Sequence, residues 1–344
     1  MIGTITSTAQ TYQFVESVEY DPIQNRWLAS NGNSIIERAS DGTLSYFGNA
    51  TASHGMEVVD NVLYAISGAS IKAYDLDDAS ELMSLNIPGV GFLNGMTNSG
   101  AAIYVTDFSN RAIFRIDITD LANPTWEQIV SNTGSTPNGI VYDEANNRLI
   151  YVNWGNNAAI KAVDLTDNSI STILANTGLG NIDGIDEDGE GNYYISSWSP
   201  NRITKYSADF QNVEIISTPF INSPADIGYS IPTDTLAIPV GNNVVFVGFE
   251  TMTSTEELKE SLEIGIYPNP TTDYLTVSFH LEKATKTKLE IVGMDGRLYQ
   301  RPVQEELVAG THRIILTDLD FPAGQYACRL TTEVGEQTVL FVKE

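Results

Sequence analysis

Residues 182–202 read IDGIDEDGEGNYYISSWSPNR, and the reading of this stretch decides the fold. Asp183-Gly184-Ile185 opens a short strand, the Asp188-Gly189-Glu190-Gly191 cluster turns the chain, Tyr193 to Ser196 return it, and Trp198 follows on the next loop. The same order recurs at Pro137-Asn138-Gly139-Ile140 with Trp154 after its return strand, at Leu93-Asn94-Gly95-Met96 with Phe108, and at His54-Gly55-Met56. Weaker copies begin at Glu16 and Ala225. Six copies spaced roughly 38 to 45 residues apart predict a six-bladed β-propeller, each blade being one four-stranded antiparallel sheet.

Working outward, the blades are expected over residues 14–47, 54–85, 93–129, 137–174, 182–216 and 224–249. The sixth lacks an obvious fourth strand, and the N-terminus could supply it and close the ring. The first ten residues, MIGTITSTAQ, carry two readings. They either form that closing strand or are the end of a secretory signal peptide, because Ser7-Thr8-Ala9 before Gln10 has the small-residue character of a cleavage site. Residues 251–263 (TMTSTEELKESLE) read as a solvated linker. Residues 264–344 form a separate module of alternating strands at the spacing of a small Ig-like β-sandwich. The chain is therefore expected to be all-β, with a propeller over 1–250, a linker and a sandwich.

The 18 Lys and Arg residues stand against 44 Asp and Glu, a net charge of −26. Residues 264–344 hold 8 of the basic and 11 of the acidic side chains, so −3 falls there and −26 − (−3) = −23 on the rest. Such a surface repels nucleic acid and anionic lipid; solubility is one reading of the charge and cation binding the sharper one. No stretch is long and apolar enough to span a membrane as a helix. The lone cysteine, Cys328, has no partner for an internal disulfide.

In the C-terminal module, Tyr267-Pro268-Asn269-Pro270-Thr271, Leu275, Gly296-Arg297, Ala309-Gly310, Leu316, Pro322-Ala323-Gly324-Gln325-Tyr326 and Val342-Lys343-Glu344 stand in an order that resembles the type A C-terminal sorting domain of the Bacteroidetes type IX secretion system. That resemblance implies export across the outer membrane, contact of residues 264–344 with the secretion machinery, removal of the module by its sortase, and a secreted or surface-attached product.

Propeller topology places residues on one face of the disc. If the first strand of each blade runs along the central channel, the loop before it and the loop after the second strand share that face. An inner ring then gathers Glu16, His54, Asn94, Asn138, Asp183 and Ala225, and an outer ring includes Asp107, Phe108, Asn153, Trp154 and Trp198. Oxygen ligands converging on an axis suit a hard cation, and the wide mouth suits calcium better than magnesium or zinc. Asn-Gly and Asp-Gly pairs also occur simply because they turn tightly.

Glu16 before Tyr20-Asp21, Asn138-Gly139 and Asp183-Gly184 resemble the three metal-ligand motifs of the SMP-30/gluconolactonase/LRE-like propellers, which are related to NHL-like ones. The resemblance implies that Glu16, Asn138 and Asp183 hold a divalent ion in a lactone or ester hydrolase. Asp183, or secondarily His54, would then act as base, with Asn94, Asp107, Phe108, Asn153, Trp154 and Trp198 around the substrate. The local contexts differ: Glu16 sits in Val15-Glu16-Ser17-Val18, and Ile182 precedes Asp183. The alternative reading is a non-catalytic propeller that binds a small molecule, glycan, peptide or protein through the same mouth.

Overall fold

The structure, a computed structural model, describes residues 10–217, 221–249, 264–332 and 335–344. The calls on residues 1–9 and on the linker, 251–263, lie outside the described residues. Among the described residues, five antiparallel sets of four strands follow one another, and a sixth is made of three strands, Gly228–Ser230, Thr235–Pro239 and Val244–Gly248. This is the six-bladed propeller. Within the four-stranded blades, burial falls from the second strand outward. Ala102–Asp107 is buried at every position, whereas the outermost strand of that blade, Thr125–Val130, is mostly exposed. That gradient explains why fourth strands are faint in the sequence: little apolar surface is removed from water there.

The core lies between blades. Leu28 and Ile35 of blade one pack with Met56 and Leu63 of blade two, and each successive pair of blades repeats the arrangement. Val15, Val18 and Trp27 close the ring against Ala237, Val244 and Phe246 of blade six. Two single bridges lock this seam, Val15 with Gly241 and Ser17 with Asp226. Buried ion pairs pin two hairpins in the same way, Arg26 on Asp21 at 2.9 Å and Arg148 on Asp143 at 2.7 Å.

The repeated glycines serve something other than turns. Asn94-Gly95, Asn138-Gly139 and Asp183-Gly184 lie inside the strands Leu93–Asn98, Thr136–Asp143 and Gly180–Glu187. The pairing register slips at each, so that two residues face one: Asn138-Gly139 oppose Val152, and Asp183-Gly184 oppose Ser196. These are β-bulges, which bend a strand and re-aim a side chain. A Cβ on Gly139 would come within 2.7 Å of the Asp183 carbonyl, and one on Gly184 within 2.6 Å of the Ile227 amide. Neighbouring inner strands thus touch backbone to backbone around the channel.

The C-terminal module packs two sheets around one core that includes Leu275, Val277, Leu289, Ile314, Leu316 and Phe341. One sheet joins Ile264–Tyr267, Leu275–Leu281 and Gly310–Leu316, and the other contains Thr285–Gly293, Leu298–Leu307, Gly324–Thr332 and Gly335–Lys343. Leu298–Leu307 is the longest described strand of the module. Its partner Thr285–Gly293 runs alongside for most of its length and absorbs the extra residues through register shifts. Gly310–Leu316 also pairs in parallel with Val213–Ser217, the outermost strand of blade five, so one sheet of seven strands runs through both units.

Candidate functional site

The bulges turn Asn138 and Asp183 toward each other at one end of the channel. Asn138 is buried, and its Nδ2 donates to Asp183 Oδ1 and to the Ile182 carbonyl, both at 3.1 Å. Its Oδ1, also buried, has no hydrogen-bond partner. Burial first, and the Glu16 carboxylate second, raise Asp183 to about 7. Glu16 keeps solvent contact through a cleft of about 460 Å³ beside the seam, although the surrounding protein still raises its carboxyl. The Trp198 indole N–H donates to the Pro224 carbonyl at 3.1 Å and also stabilises the Asp183 carboxylate. Two carboxylates and one unpaired amide oxygen are thus brought to one place. Among the described residues no three His, Cys, Asp or Glu side chains converge as a metal set, so Asn138 is essential to any such site.

The other inner-ring positions differ. His54 Nδ1 pairs with Ser53 Oγ at 3.0 Å, its ring stands edge-on to Phe92 at 4.6 Å, and burial lowers its pKa to about 4. It is therefore a neutral imidazole near pH 7. Asn94 uses its carbonyl to accept from Gly55 N at 2.9 Å, and the Ala225 carbonyl accepts from Ser196 Oγ at 2.8 Å.

The outer ring divides. Phe108, Trp154 and Trp198 are partly exposed and continue an aromatic arc that starts at His54 and Phe92. Ring centroids along it are 4.6, 5.6, 6.0 and 4.9 Å apart, in edge-to-face contacts that favour such pairs. Phe92 was not singled out in the sequence. It precedes the repeat motif instead of following the return strand, where the repeat places the outer ring. Asp107 and Asn153 are structural ties and not ligand contacts. The Asp107 carboxylate is fully buried and accepts from the amides of Gly91, Phe92 and Asn110. Asn153 is spent on Ser135 Oγ at 2.6 Å and the Ala159 carbonyl at 2.8 Å. An acidic side chain that can saturate itself on loop amides gains more from them than from solvent.

Deeper in the channel lies a second group that sequence reasoning missed. Glu19, Glu57 and Asp186 stand three residues after Glu16, His54 and Asp183, and Asp226 sits at the seam. Burial first, then mutual repulsion, raises Glu19, Glu57 and Asp226, while burial raises Asp186 to about 7. All four retain some solvent contact despite their depth, as expected of groups lining a narrow channel. Asn98 Nδ2 donates to Glu57 at 2.7 Å and the Tyr229 amide to Asp186 at 2.5 Å. No ion pair with Lys or Arg is formed by any of them among the described residues. The three-residue offset from the inner ring was the available signal.

With this geometry in view, the class of protein is a six-bladed β-propeller joined to a β-sandwich. Residues 265–344 match the family described as the secretion system C-terminal sorting domain. The chain is accordingly a cargo of type IX secretion, destined for the cell surface or the extracellular space, and its tail engages the secretion machinery. No described helix is long and apolar enough to cross a membrane. No curated protein matched the sequence.

Among solved structures, the fold is similar to a gluconolactonase from Xanthomonas campestris at 18% identity and TM-score 0.57, covering 69% of this chain and 86% of that one. It is similar to a chain of a nidogen/laminin complex at 13% identity and TM-score 0.55, covering 84% and 97%. It is also similar to a virginiamycin B lyase from Staphylococcus aureus at 14% identity and TM-score 0.50, covering 79% and 94%. At such identities the likeness shows the fold alone.

Proposed function

We propose that the channel mouth binds a divalent cation, best calcium, through Glu16, Asn138 and Asp183, and that the exported propeller hydrolyses a lactone or ester there. The observation that carries this reading is the unpaired, buried Oδ1 of Asn138 beside the Asp183 carboxyl. A buried amide oxygen without a partner is costly unless something electropositive meets it. Calcium accepts six to eight oxygens at relaxed geometry, so three protein oxygens leave room for water and ligand. A bound divalent cation supplies a Lewis acid that polarises a carbonyl.

The chain's own residues do the rest. Asp183, held near neutrality, can take a proton at its carboxylate, and the neutral His54 ring is a second acceptor at the rim. The arc from Phe92 to Trp198 offers an apolar wall that excludes water from one side and stacks on a ring. The gluconolactonase among the similar folds suggests lactones as the first substrates to try. Calorimetric titration of the full chain with calcium, followed by a lactone and aryl-ester screen, tests the proposal. Absence of binding at millimolar calcium would sink it.

The aromatic arc also favours a second reading, a non-catalytic propeller that captures a glycan or peptide at the same mouth. In that case ligand binding survives chelation and the Asp183→Asn change, and fails in Trp154→Ala and Trp198→Ala.

A further inference from the structure

The strand Gly310–Leu316 is built to face two cores. In a strand, successive side chains point to opposite faces. Ile314 and Leu316 accordingly enter the core of the C-terminal module, while Ile315, between them, is fully buried in the cluster formed by blades five and six with Ile216, Ile221 and Phe249. An isolated sandwich would expose that residue to water, where a polar side chain belongs. Tyr274 of the module likewise packs against both the cluster of blades five and six and the cluster that closes the ring.

The contact is directional as well as apolar. Ile215, Ile216 and Ser217 pair in parallel with His312, Arg313 and Ile314. The Arg313 guanidinium lies over the Phe249 ring at 4.7 Å, and its Nε is 3.4 Å from Glu214 Oε1. Backbone pairing with a sheet edge supplies affinity, and side chains at the alternate positions supply selectivity. The docked module also reaches the mouth. Thr317, the residue after the docking strand, lines the same cleft as Glu16, Trp198 and Ala225.

We propose that the C-terminal module is a docked wall of the mouth cleft, held on the free edge of blade five by strand addition, and that releasing it uncovers both that edge and the cleft beside Glu16 and Trp198. The proposal concerns the mouth described above but does not depend on a cation or on catalysis there. Its partner is the chain's own strand Gly310–Leu316, selected by an apolar side chain at position 315 and a cation at position 313 opposite Glu214.

The test uses the full chain. Arg313→Glu places like charges together and removes the cation from Phe249. Amide exchange across Val213–Ser217 should then accelerate about tenfold. Acrylamide quenching attributable to Trp198, taken as the difference from the same protein carrying Trp198→Phe, should rise with it. The double change Glu214→Arg with Arg313→Glu should restore both readings in part, because the ion pair returns while the cation over Phe249 does not. This rescue separates docking from misfolding, as does unchanged exchange across Leu275–Leu281 within the module. Ile315→Asp should release the module more fully, with the same pattern. Exchange at Val213–Ser217 that is equal in the native and Arg313→Glu proteins would overturn the docked wall. Exchange that changes while Trp198 quenching does not would also overturn it, since the module would then dock without walling the mouth. Protection that disappears on dilution of the native protein would overturn docking within one chain in favour of exchange between copies.

Discussion

Asn138 Nδ2 lies 3.1 Å from Asp183 Oδ1, and the Oδ1 of the same Asn138 side chain meets no donor. One amide therefore orients the carboxylate and offers its own oxygen beside it. Asp183→Asn should abolish calcium binding to the full chain. Asn138→Leu should weaken it by about 10- to 100-fold, the range seen when groups that support a metal site are lost. Titration calorimetry checks both, and equal affinity in the native and Asn138→Leu proteins would remove Asn138 from the site.

The closeness of the inner strands gives a prediction about stability. Gly139→Ala puts a Cβ within 2.7 Å of the Asp183 carbonyl and 2.8 Å of Gly184 Cα, both backbone atoms that cannot swing away. Overpacking of that kind costs about 2 to 3 kcal/mol. Gly335→Ala, where a Cβ would meet nothing within 4 Å, should stay within about 0.5 kcal/mol of the native protein. Urea unfolding followed by circular dichroism measures the difference.

The carboxylates deep in the channel set a pH dependence. Glu57 faces Glu19, Asp186 and Asp226 and accepts from Asn98, and its carboxyl is raised by burial and then by the Asp186 charge. Asp186 is raised to about 7. A carboxyl raised in the folded state holds its proton more tightly folded than unfolded. The stability this contributes is complete below the ordinary carboxylate range and is lost as pH rises through about 7. The melting temperature in the presence of chelator should fall between pH 5 and pH 9, and Glu57→Gln should flatten the fall. A melting temperature that rises over that range would contradict the assignment.

Trp154 and Trp198 stand edge to face with centroids 4.9 Å apart. Such pairs contribute about 0.5 to 1.5 kcal/mol beyond their burial. A double-mutant cycle with Trp154→Leu and Trp198→Leu should return a coupling in that range, and near-ultraviolet circular dichroism should lose the same band in either single variant. Additive stabilities would mean the two indoles do not touch in solution.

Arg26 covers a carboxylate, that of Asp21, with no solvent exposure of its own. Arg26→Ala leaves that charge buried without its ion pair, a change that costs about 3 to 5 kcal/mol. Thermal unfolding should show the loss, and Arg26→Ala combined with Asp21→Asn should recover part of it.

Much of this was legible from residues 182–202 and their relatives, because a blade is a local object. Alternation every two residues, turn clusters such as Asp188-Gly189-Glu190-Gly191 and a repeat every 40 or so residues are written along the chain, so six blades, an inner ring containing Asp183 and an aromatic ring containing Trp198 follow from spacing. The motifs from Tyr267 to Glu344 likewise carry the sorting domain along the chain. What a residue does with its side chain was decided by neighbours far away in sequence. The sequence offers both Asp107, on the outer ring, and Asp183, on the inner, as site acids. Only packing saturates Asp107 on the amides of Gly91, Phe92 and Asn110 while leaving Asp183 beside an unpaired amide oxygen.

The glycine of each inner-strand pair, Gly95, Gly139 or Gly184, carries the same lesson. It reads as a turn residue, yet it is required by the next blade's backbone, some 40 residues on. Ile315 reads as one more core residue of its module, and only the tertiary contact assigns it to the propeller. Periodicity is local and survives in one dimension. Burial, bulge geometry and the meeting of two cores are properties of contacts that exist only after the chain has closed on itself.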